Sequence, residues 1–148
     1  MAVGLLGAQS LVAKYGLNPK RVYAAGTSGG ARVASALAFF RPDLFSGTIQ
    51  SVGSNYPRPI PLPSGAKEDG YGLMSGGKTV DAAAVRSRVR FVLITSPTDF
   101  RHANLQAIYQ QGFVVDGFAT KFLDVPGMGH SSCSAMQLRE ALDFIEKR

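Results

Sequence analysis

The sequence predicts an α/β protein in which a parallel sheet of about four strands carries helices on both faces. Short apolar runs rich in β-branched residues alternate with runs whose apolar residues recur at helical spacing. The 148 residues suffice for one domain with a buried core, and 45% hydrophobic with 18% charged residues fits neither disorder nor a coiled coil. Right-handed crossovers between parallel strands then give three layers, α/β/α.

The boundaries of the elements follow from their local residues. The first helix ends at Gly16, and a strand opens after Pro19 and closes at Gly26. The apolar run before Pro97 has the strongest strand pattern, and Ser134 is placed to cap the closing amphipathic helix. The predicted helices cover residues 1–16, 29–40, 81–88, 101–112 and 134–148, and the predicted strands cover 20–27, 44–53, 89–96 and 119–127.

Residues 54–80 are predicted to form an irregular loop, because their proline and glycine content resists regular structure. A connection of this length in a compact domain is commonly a functional or lid loop. We expect it to line or cover a site, with Tyr56 and Tyr71 as candidate contacts; the alternative is that both tyrosines only anchor the loop. Residues 1–148 as a whole are expected to form a single domain.

Charge and cysteine content narrow the classes of partner. The net charge is +6, but the basic residues are scattered and only Arg86, Arg88 and Arg90 cluster, which is typical of a solvated lead-in to a strand. We therefore expect no nucleic-acid partner. A single cysteine, Cys133, excludes an internal disulfide, and two histidines give no metal-ligand spacing, so no metal or cofactor is expected.

No apolar run approaches the length of a transmembrane helix, and no membrane partner is expected. The apolar start of the chain lacks the basic region and the small-residue cleavage site of a signal peptide. Nothing in the sequence specifies a compartment, and a cytoplasmic location is only the default.

Polar residues follow each predicted strand, at the edge where parallel sheets place their sites. Ser28 follows the first strand, Asn55 the second, Asp99 the third and His130 the fourth. Because the carboxyl ends of parallel strands meet at one edge, these side chains are expected to lie close together. Asn55, like Tyr56 beside it, is a candidate contact for the oxyanion or the substrate.

Residues 26–30, Gly-Thr-Ser-Gly-Gly, match G-x-S-x-G in the strand-to-helix turn that gives this motif its meaning, with glycines that relieve a crowded turn. A serine attacks only when a base removes its proton, and the N–H of Gly29 and the helix dipole would face a developing oxyanion. Thr27 lies in the same turn and is a candidate substrate contact. The alternatives are a plain turn serine or a phosphate-binding turn, although a P-loop lysine and a dinucleotide spacing are missing.

His130 is the stronger candidate for the base, since His102 falls in the first turn of a helix, where a surface position or a cap is the simpler interpretation. Asp99 leaves its strand where a carboxylate could orient the imidazole, and the alternative is an N-cap for the helix at 101. Asp116 and Asp124 are reserve acids. The chain order Ser, Asp, His, each after its own strand, is more specific than any single motif and predicts a serine hydrolase.

Two segments carry a resemblance to the α/β-hydrolase superfamily, and within it to the feruloyl-esterase and polyhydroxybutyrate-depolymerase-like branch: NPKRVYAAGTSGGARVASALAFFRPDLFSGTIQSVG and FVLITSPTDFRHANLQAIYQQGF…TKFLDVPGMGHS. The resemblance implies Ser28 as nucleophile, His130 as general base, Asp99 as its orienting acid, Gly29 as one oxyanion donor, and small ester substrates. It covers most of this chain but only the C-terminal half of the family's catalytic domain. The implied fold is truncated, without the loop that supplies the second oxyanion donor, so a weak or inactive esterase is expected.

The same resemblance implies that the strand at 20–27 is central in the sheet of the family, whereas in this chain it would be an edge strand. Its VYAA segment has no lysine, proline or inward charge to protect an edge. We therefore expect a homodimer joined near residues 20–27, with the sheet continued across a two-fold axis. The alternative to an esterase is a non-catalytic dimeric remnant of the fold that acts as a binding or interaction module.

Overall fold

The computed structural model describes residues 1–68 and 79–147, and Tyr71 lies outside the described residues. The helices are α1 Ala2–Tyr15, α2 Gly29–Phe40, α3 Ala82–Arg88, α4 His102–Ala107 and α5 Ala135–Glu146, and a π-helix, Ile108–Val114, continues directly from α4. The strands are β1 Tyr23–Thr27, β2 Gly47–Ser51, β3 Ile60–Pro61, β4 Lys67–Glu68, β5 Arg90–Thr95 and β6 Ala119–Asp124. The α/β class predicted from the sequence is confirmed.

The main sheet has four parallel strands in the order β1-β2-β5-β6. Its register brings the strands to a common end: Thr27 pairs with Ser51, Ser51 pairs with Ile94, and Thr95 pairs with Asp124. The segments that leave the four strands therefore start side by side at one edge, which is where the sequence places its polar candidates.

The loop at 54–80 contains regular structure that the sequence did not predict. β3 and β4 pair antiparallel as a short ribbon that is separate from the main sheet. A tight turn joins them, in which Leu62 N–H donates to Ala66 O at 2.9 Å and Gly65 N–H donates to Leu62 O at 2.9 Å. The proline-rich composition that argued against a strand here did not exclude so short a pairing.

Two apolar layers cover the sheet, because successive residues of a strand point to opposite faces. Phe91 and Leu93 of β5 face α2, α3 and the π-helix, whereas Val92 and Ile94 face α5. The first layer contains an aromatic cluster whose ring centroids lie 4.8 to 6.2 Å apart. The members of this aromatic cluster are Phe39, Tyr56, Phe91, Phe113 and Phe118.

Two members of the arginine cluster have packing roles inside the molecule. The Arg86 guanidinium lies 5.7 Å from the ring of Phe118, and Arg90 lies 5.0 Å from the ring of Phe144 and donates to its carbonyl at 2.6 Å. Their stems and charges therefore help to hold the amino ends of the strands.

Among the residues that the structure describes, no helix is long and apolar enough to cross a membrane. The same described part of the chain holds no group of three His, Cys, Asp or Glu side chains suited to a metal ion.

α1 differs from the other helices in how little it buries. None of its residues, all of which the structure describes, is buried, and the side chains of Val3, Leu6 and Leu11 are exposed. An apolar groove of about 810 Å³ runs between α1, β1 and α2. Exposed apolar surface of this extent marks an interaction surface more often than a solvated one.

The Tyr56 hydroxyl provides the first testable prediction. It donates to Asp116 Oδ2 at 2.5 Å, and burial, followed by this hydrogen bond, raises the pKa of Tyr56 above its ordinary 10.0. We expect Tyr56→Phe to lower the free energy of unfolding by about 1 to 2 kcal/mol in urea titrations at neutral pH.

The pH dependence of this contribution has a definite sign. Unfolded tyrosine ionises near pH 10 while folded Tyr56 stays neutral, so the stabilisation is complete below about pH 10 and decreases above it. Tyr56→Phe should therefore lose stability less steeply than the wild type above about pH 10. Tyr15→Phe, at an exposed ring of α1, is the matched control and should behave as the wild type. Equal stability of Tyr56→Phe and wild type at neutral pH would contradict the prediction.

Candidate active site

The turn from β1 into α2 holds Ser28 in a conformation that L-residues rarely adopt, with φ 53° and ψ −114°. Its N–H donates to Ser51 O at 2.8 Å, which extends the ladder between β1 and β2 by one residue. Its carbonyl accepts from Arg32 N–H at 3.2 Å in the first turn of α2. A strained turn of this kind between a strand and a helix lifts the serine hydroxyl clear of the sheet.

Close backbone approaches explain two of the glycines around Ser28. A Cβ on Gly26 would lie 2.3 Å from the carbonyl carbon of Gly30, and a Cβ on Gly53 would lie 2.4 Å from the Ser28 carbonyl oxygen. In contrast, a Cβ on Gly30 would meet nothing within 4 Å. The first glycine of the G-x-S-x-G motif is therefore required by space, and the second is not.

His130 lies in the loop between β6 and α5 and faces Ser28. Its Nε2 is 3.1 Å from Ser28 Oγ, and its Nδ1 is 2.8 Å from Asp99 Oδ1. With the Nδ1 proton directed to the carboxylate, Nε2 is left as the acceptor for the serine hydroxyl. The side chain of His130 is partly exposed, so the imidazole is within reach of a ligand in solution.

The Asp99 carboxylate is fully enclosed, with 0% of its side chain exposed. Besides His130, Oδ1 accepts from Arg101 N–H at 3.0 Å, and Oδ2 accepts from the Thr95 hydroxyl at 3.2 Å. These bonds satisfy the buried charge and fix the carboxylate against the start of α4. Asp99 thus contacts His130 and also bonds the turn that opens α4, so the two roles weighed from the sequence are compatible.

The turn residues beside Ser28 occupy the entrance to α2. Gly29 and Gly30 are the first two residues of that helix, whose N–H groups lie outside its internal hydrogen-bond ladder. Together with the helix dipole they offer donors to a negative charge near Ser28 Oγ. The Thr27 hydroxyl is 2.7 Å from Ser132 Oγ, so it ties β1 to the loop that carries His130.

The structure corrects the placement of the two candidate contacts that follow β2. Asn55 and Tyr56 are 0% and 2% exposed, because the chain turns beneath α2 after Gly53. Asn55 Oδ1 accepts from the Arg32 guanidinium at 2.9 Å, while its Nδ2 has no hydrogen-bond partner among the described residues. Tyr56 belongs to the aromatic cluster. Neither side chain is open to an incoming substrate.

The other titratable candidates are engaged away from Ser28. His102 Nε2 is 3.0 Å from Asp124 Oδ2, so the second histidine pairs with one reserve acid. The other reserve acid, Asp116, bonds Tyr56 and Arg58, and the Arg58 hydrogen bond is the main cause that lowers the pKa of this carboxyl. The structure therefore brings Asp99 alone of the three acids to His130.

Three further residues shape the surroundings of Ser28, Asp99 and His130 and are not predicted from the sequence. Thr95, the last residue of β5, donates its hydroxyl proton to Asp99 Oδ2, and the Phe100 ring lies against the His130 ring with centroids 4.5 Å apart. Val52, fully buried, has φ 49° immediately before Gly53, a conformation that is an outlier for a β-branched residue. For Thr95 and Phe100, the only indication in the sequence is that they lie close to Asp99. Nothing in the sequence indicates the unusual backbone conformation of Val52.

No protein-family model matches the chain, and a search of curated proteins also gives no match. Solved structures do match. A carboxylesterase from Mesorhizobium loti is 16% identical, with a TM-score of 0.66 over 96% of this chain and 58% of its own. A ferulic acid esterase is 19% identical, with a TM-score of 0.66 over 93% of this chain and 56% of its own. A PHB depolymerase from Penicillium funiculosum is 16% identical, with a TM-score of 0.65 over 89% and 53%.

The fold is thus of the α/β-hydrolase type, as the parallel sheet and these neighbours together show. The esterases and depolymerases include both kinds of protein that the sequence resembles, so the resemblance is confirmed at the level of the fold. The chain spans less than two thirds of the length of each of these three proteins.

The motif glycines provide the second prediction. Gly26→Ala would force its Cβ into the backbone of Gly30 and should lower the free energy of unfolding by about 3 kcal/mol. Gly30→Ala is the matched control, because its Cβ meets open space and alanine favours a helix by up to about 1 kcal/mol over glycine. In urea titrations the unfolding midpoint of Gly26→Ala should fall, whereas that of Gly30→Ala should rise or stay unchanged. A loss of stability in Gly30→Ala as large as that in Gly26→Ala would refute the account.

Proposed function

We propose that this chain carries the reacting groups of a serine esterase that acts on small carboxylic esters. The observation that supports this most directly is the chain of hydrogen bonds from Ser28 Oγ to His130 and on to the enclosed carboxylate of Asp99. A serine on a strained turn, a base at 3.1 Å and an acid that orients the base are the parts that nucleophilic acyl transfer requires.

In the proposed reaction Ser28 Oγ attacks the ester carbonyl carbon while His130 Nε2 takes the hydroxyl proton. The tetrahedral intermediate collapses, the carbon–oxygen bond to the alcohol breaks, and the same proton passes to the departing alkoxide. Water then attacks the acyl carbon while His130 Nε2 takes a proton from it. The bond from the acyl carbon to Ser28 Oγ breaks, the same proton passes to Ser28 Oγ, and the carboxylic acid leaves. Asp99 keeps its charge throughout and stabilises the imidazolium.

The oxyanion would be held by the N–H of Gly29 at the start of α2. The resemblance implies that a second N–H donor comes from a loop that this sequence does not contain. Loss of one such donor typically reduces kcat by about 100- to 1000-fold. We therefore propose slow turnover for the chain alone, with acylation retained.

Support for the substrate class comes from the structural neighbours, which include carboxylesterases and a ferulic acid esterase. This support extends only to ester hydrolysis in general, since the chain spans about three fifths of the first matched structures.

The third prediction concerns the nucleophile itself. Ser28 Oγ should displace fluoride from a fluorophosphonate probe, a reaction that needs an activated serine but no alcohol leaving group, and the bound phosphonyl group should increase the intact mass. Peptide mapping should locate the adduct at Ser28, and hydrolysis of p-nitrophenyl acetate should be measurable.

Three variants of the proposed reacting groups and one control variant make that test specific. Ser28→Ala should take up no probe, and His130→Ala should react far more slowly because the base is removed. Asp99→Asn should reduce kcat by about 10,000-fold by favouring the wrong tautomer of His130. Ser10→Ala, in α1, is the matched serine control and should label as the wild type. Absence of labelling in the folded wild type would exclude the catalytic proposal.

A second candidate function is an interaction module, and the surface formed by α1 and β1 favours it. β1 has a hydrogen-bonded neighbour only in β2 within the described part of the chain, and no residue of the described helix α1 is buried. We propose that a second copy of the chain covers this surface by pairing β1 with its own β1 across a two-fold axis, as a homodimer.

The fourth prediction tests the homodimer by sedimentation velocity at micromolar concentration, where the wild type should sediment as a dimer. Ala25 is exposed in the middle of β1, and Ala25→Lys places a charge on the proposed pairing edge, so this variant should sediment as a monomer. Ala83→Lys, at an exposed alanine of α3, should remain dimeric. A monomeric wild type would rule the homodimer out.

A further inference from the structure

Phe100 is a large apolar residue that the fold leaves outside its core. It is 77% exposed, whereas the phenylalanines of the aromatic cluster are at most 6% exposed. Its ring lies against the imidazole of His130, with ring centroids 4.5 Å apart and ring planes inclined by 35°. Single exposed apolar residues need no explanation, but this one touches the base of the proposed reaction.

The imidazole of His130 is otherwise fixed at its edges. Asp99 Oδ1 lies 2.8 Å from Nδ1, and Ser28 Oγ lies 3.1 Å from Nε2. Hydrogen bonds at two edges still allow the ring to rock about the line that joins them. A flat side chain packed on one face of the imidazole opposes that motion, and Phe100 occupies this position.

Backbone hydrogen bonds hold the segment that carries Phe100. Asp99 N–H donates to Ser96 O at 2.9 Å, and His102 N–H donates to Asp99 O at 2.9 Å, so the backbone is bonded on both sides of Phe100. Consecutive residues of one bonded turn therefore contact the edge and the face of His130.

Charge adds a second effect to the packing. The imidazole becomes an imidazolium when it takes the proton of Ser28, and the negative face of an aromatic ring attracts a cation. At exposed sites such an attraction is worth a factor of about two to five in an equilibrium or rate constant. The contact is therefore stronger in the charged state that forms during turnover than in the resting state, which favours the chemical step.

We propose that Phe100 is a positioning residue that holds the imidazole of His130 in line with Ser28 Oγ and stabilises the imidazolium during acyl transfer. This inference rests on the proposed esterase function. It assigns Phe100 to the chemical step and not to binding of the substrate.

The test compares steady-state hydrolysis of p-nitrophenyl acetate by wild type, Phe100→Leu and Phe100→Tyr. Leucine keeps apolar bulk but has no aromatic face, so kcat should fall by about two- to five-fold with KM unchanged. Tyrosine keeps the face and should restore the wild-type kcat. Val115→Ala, at an exposed residue beyond the π-helix, is the control for loss of exposed apolar surface and should leave kcat unchanged.

A second measurement tests the ring contact without relying on activity. The chain has two histidines, so the ring protons of His130 are identified in a proton NMR spectrum by comparison with a His102→Gln variant. The ring current of Phe100 should displace these resonances upfield, and Phe100→Leu should remove the displacement while Phe100→Tyr keeps it.

The outcomes separate this proposal from the one on which it depends. A lower kcat in Phe100→Leu, together with loss of the ring-current shift and rescue by tyrosine, supports it. A higher KM with unchanged kcat would make Phe100 a substrate contact and overturn it, as would an unchanged kcat after the shift is lost. A wild type inert to both ester and phosphonate refutes the esterase function and the role of Phe100 with it, even where the NMR shift shows the two rings in contact.

Discussion

The geometry of the carboxyl edge depends on how closely three backbone segments approach one another around Ser28. β1 arrives beneath the first turn of α2, and the chain leaving β2 passes the Ser28 carbonyl at Gly53, with no room for a Cβ at Gly26 or at Gly53. This crowding holds Ser28 at positive φ, and the parallel register then sets the distances to the loops after β5 and β6. The position of the hydroxyl is thus a result of backbone packing before any side-chain contact is made.

Much of this arrangement could be predicted from the sequence, because its determinants are local. Each strand is an apolar run that ends in a glycine, a proline or a polar residue, and parallel strands end at one edge. The chain order Ser28, Asp99, His130 at successive strand ends therefore predicts their proximity, and the structure brings these three side chains within hydrogen-bonding distance. The expectation that the motif glycines relieve a crowded turn does not hold for Gly30, because a Cβ added there would meet no atom within 4 Å.

The side-chain positions that could not be predicted from the sequence depend on contacts between segments that are distant in sequence. Tyr56 follows a strand end just as Ser28 does, yet the turn at Gly53 directs it into the aromatic cluster and toward Asp116, 60 positions away in sequence. The partnership of Phe100 with His130 and that of His102 with Asp124 likewise require the strand order to be known. The sequence leaves open whether Tyr56 lines a site or anchors its loop, and the burial of its ring agrees with the second; nothing in the sequence predicts that Phe100 lies exposed against His130.

The position of β1 at the border of the sheet has a consequence for local opening. Asp99 and His130 follow β5 and β6, which pair with each other over six residues, whereas Ser28 follows β1, a strand of five residues whose only described partner is β2. An edge strand detaches at a lower free energy than an interior one, and β6 is the other edge of the described sheet, so local opening of β1 from β2 or of β6 from β5 would move Ser28 and His130 apart. A molecule that paired with the free edge of β1 would therefore lower the population of the opened state in which Ser28 and His130 are apart.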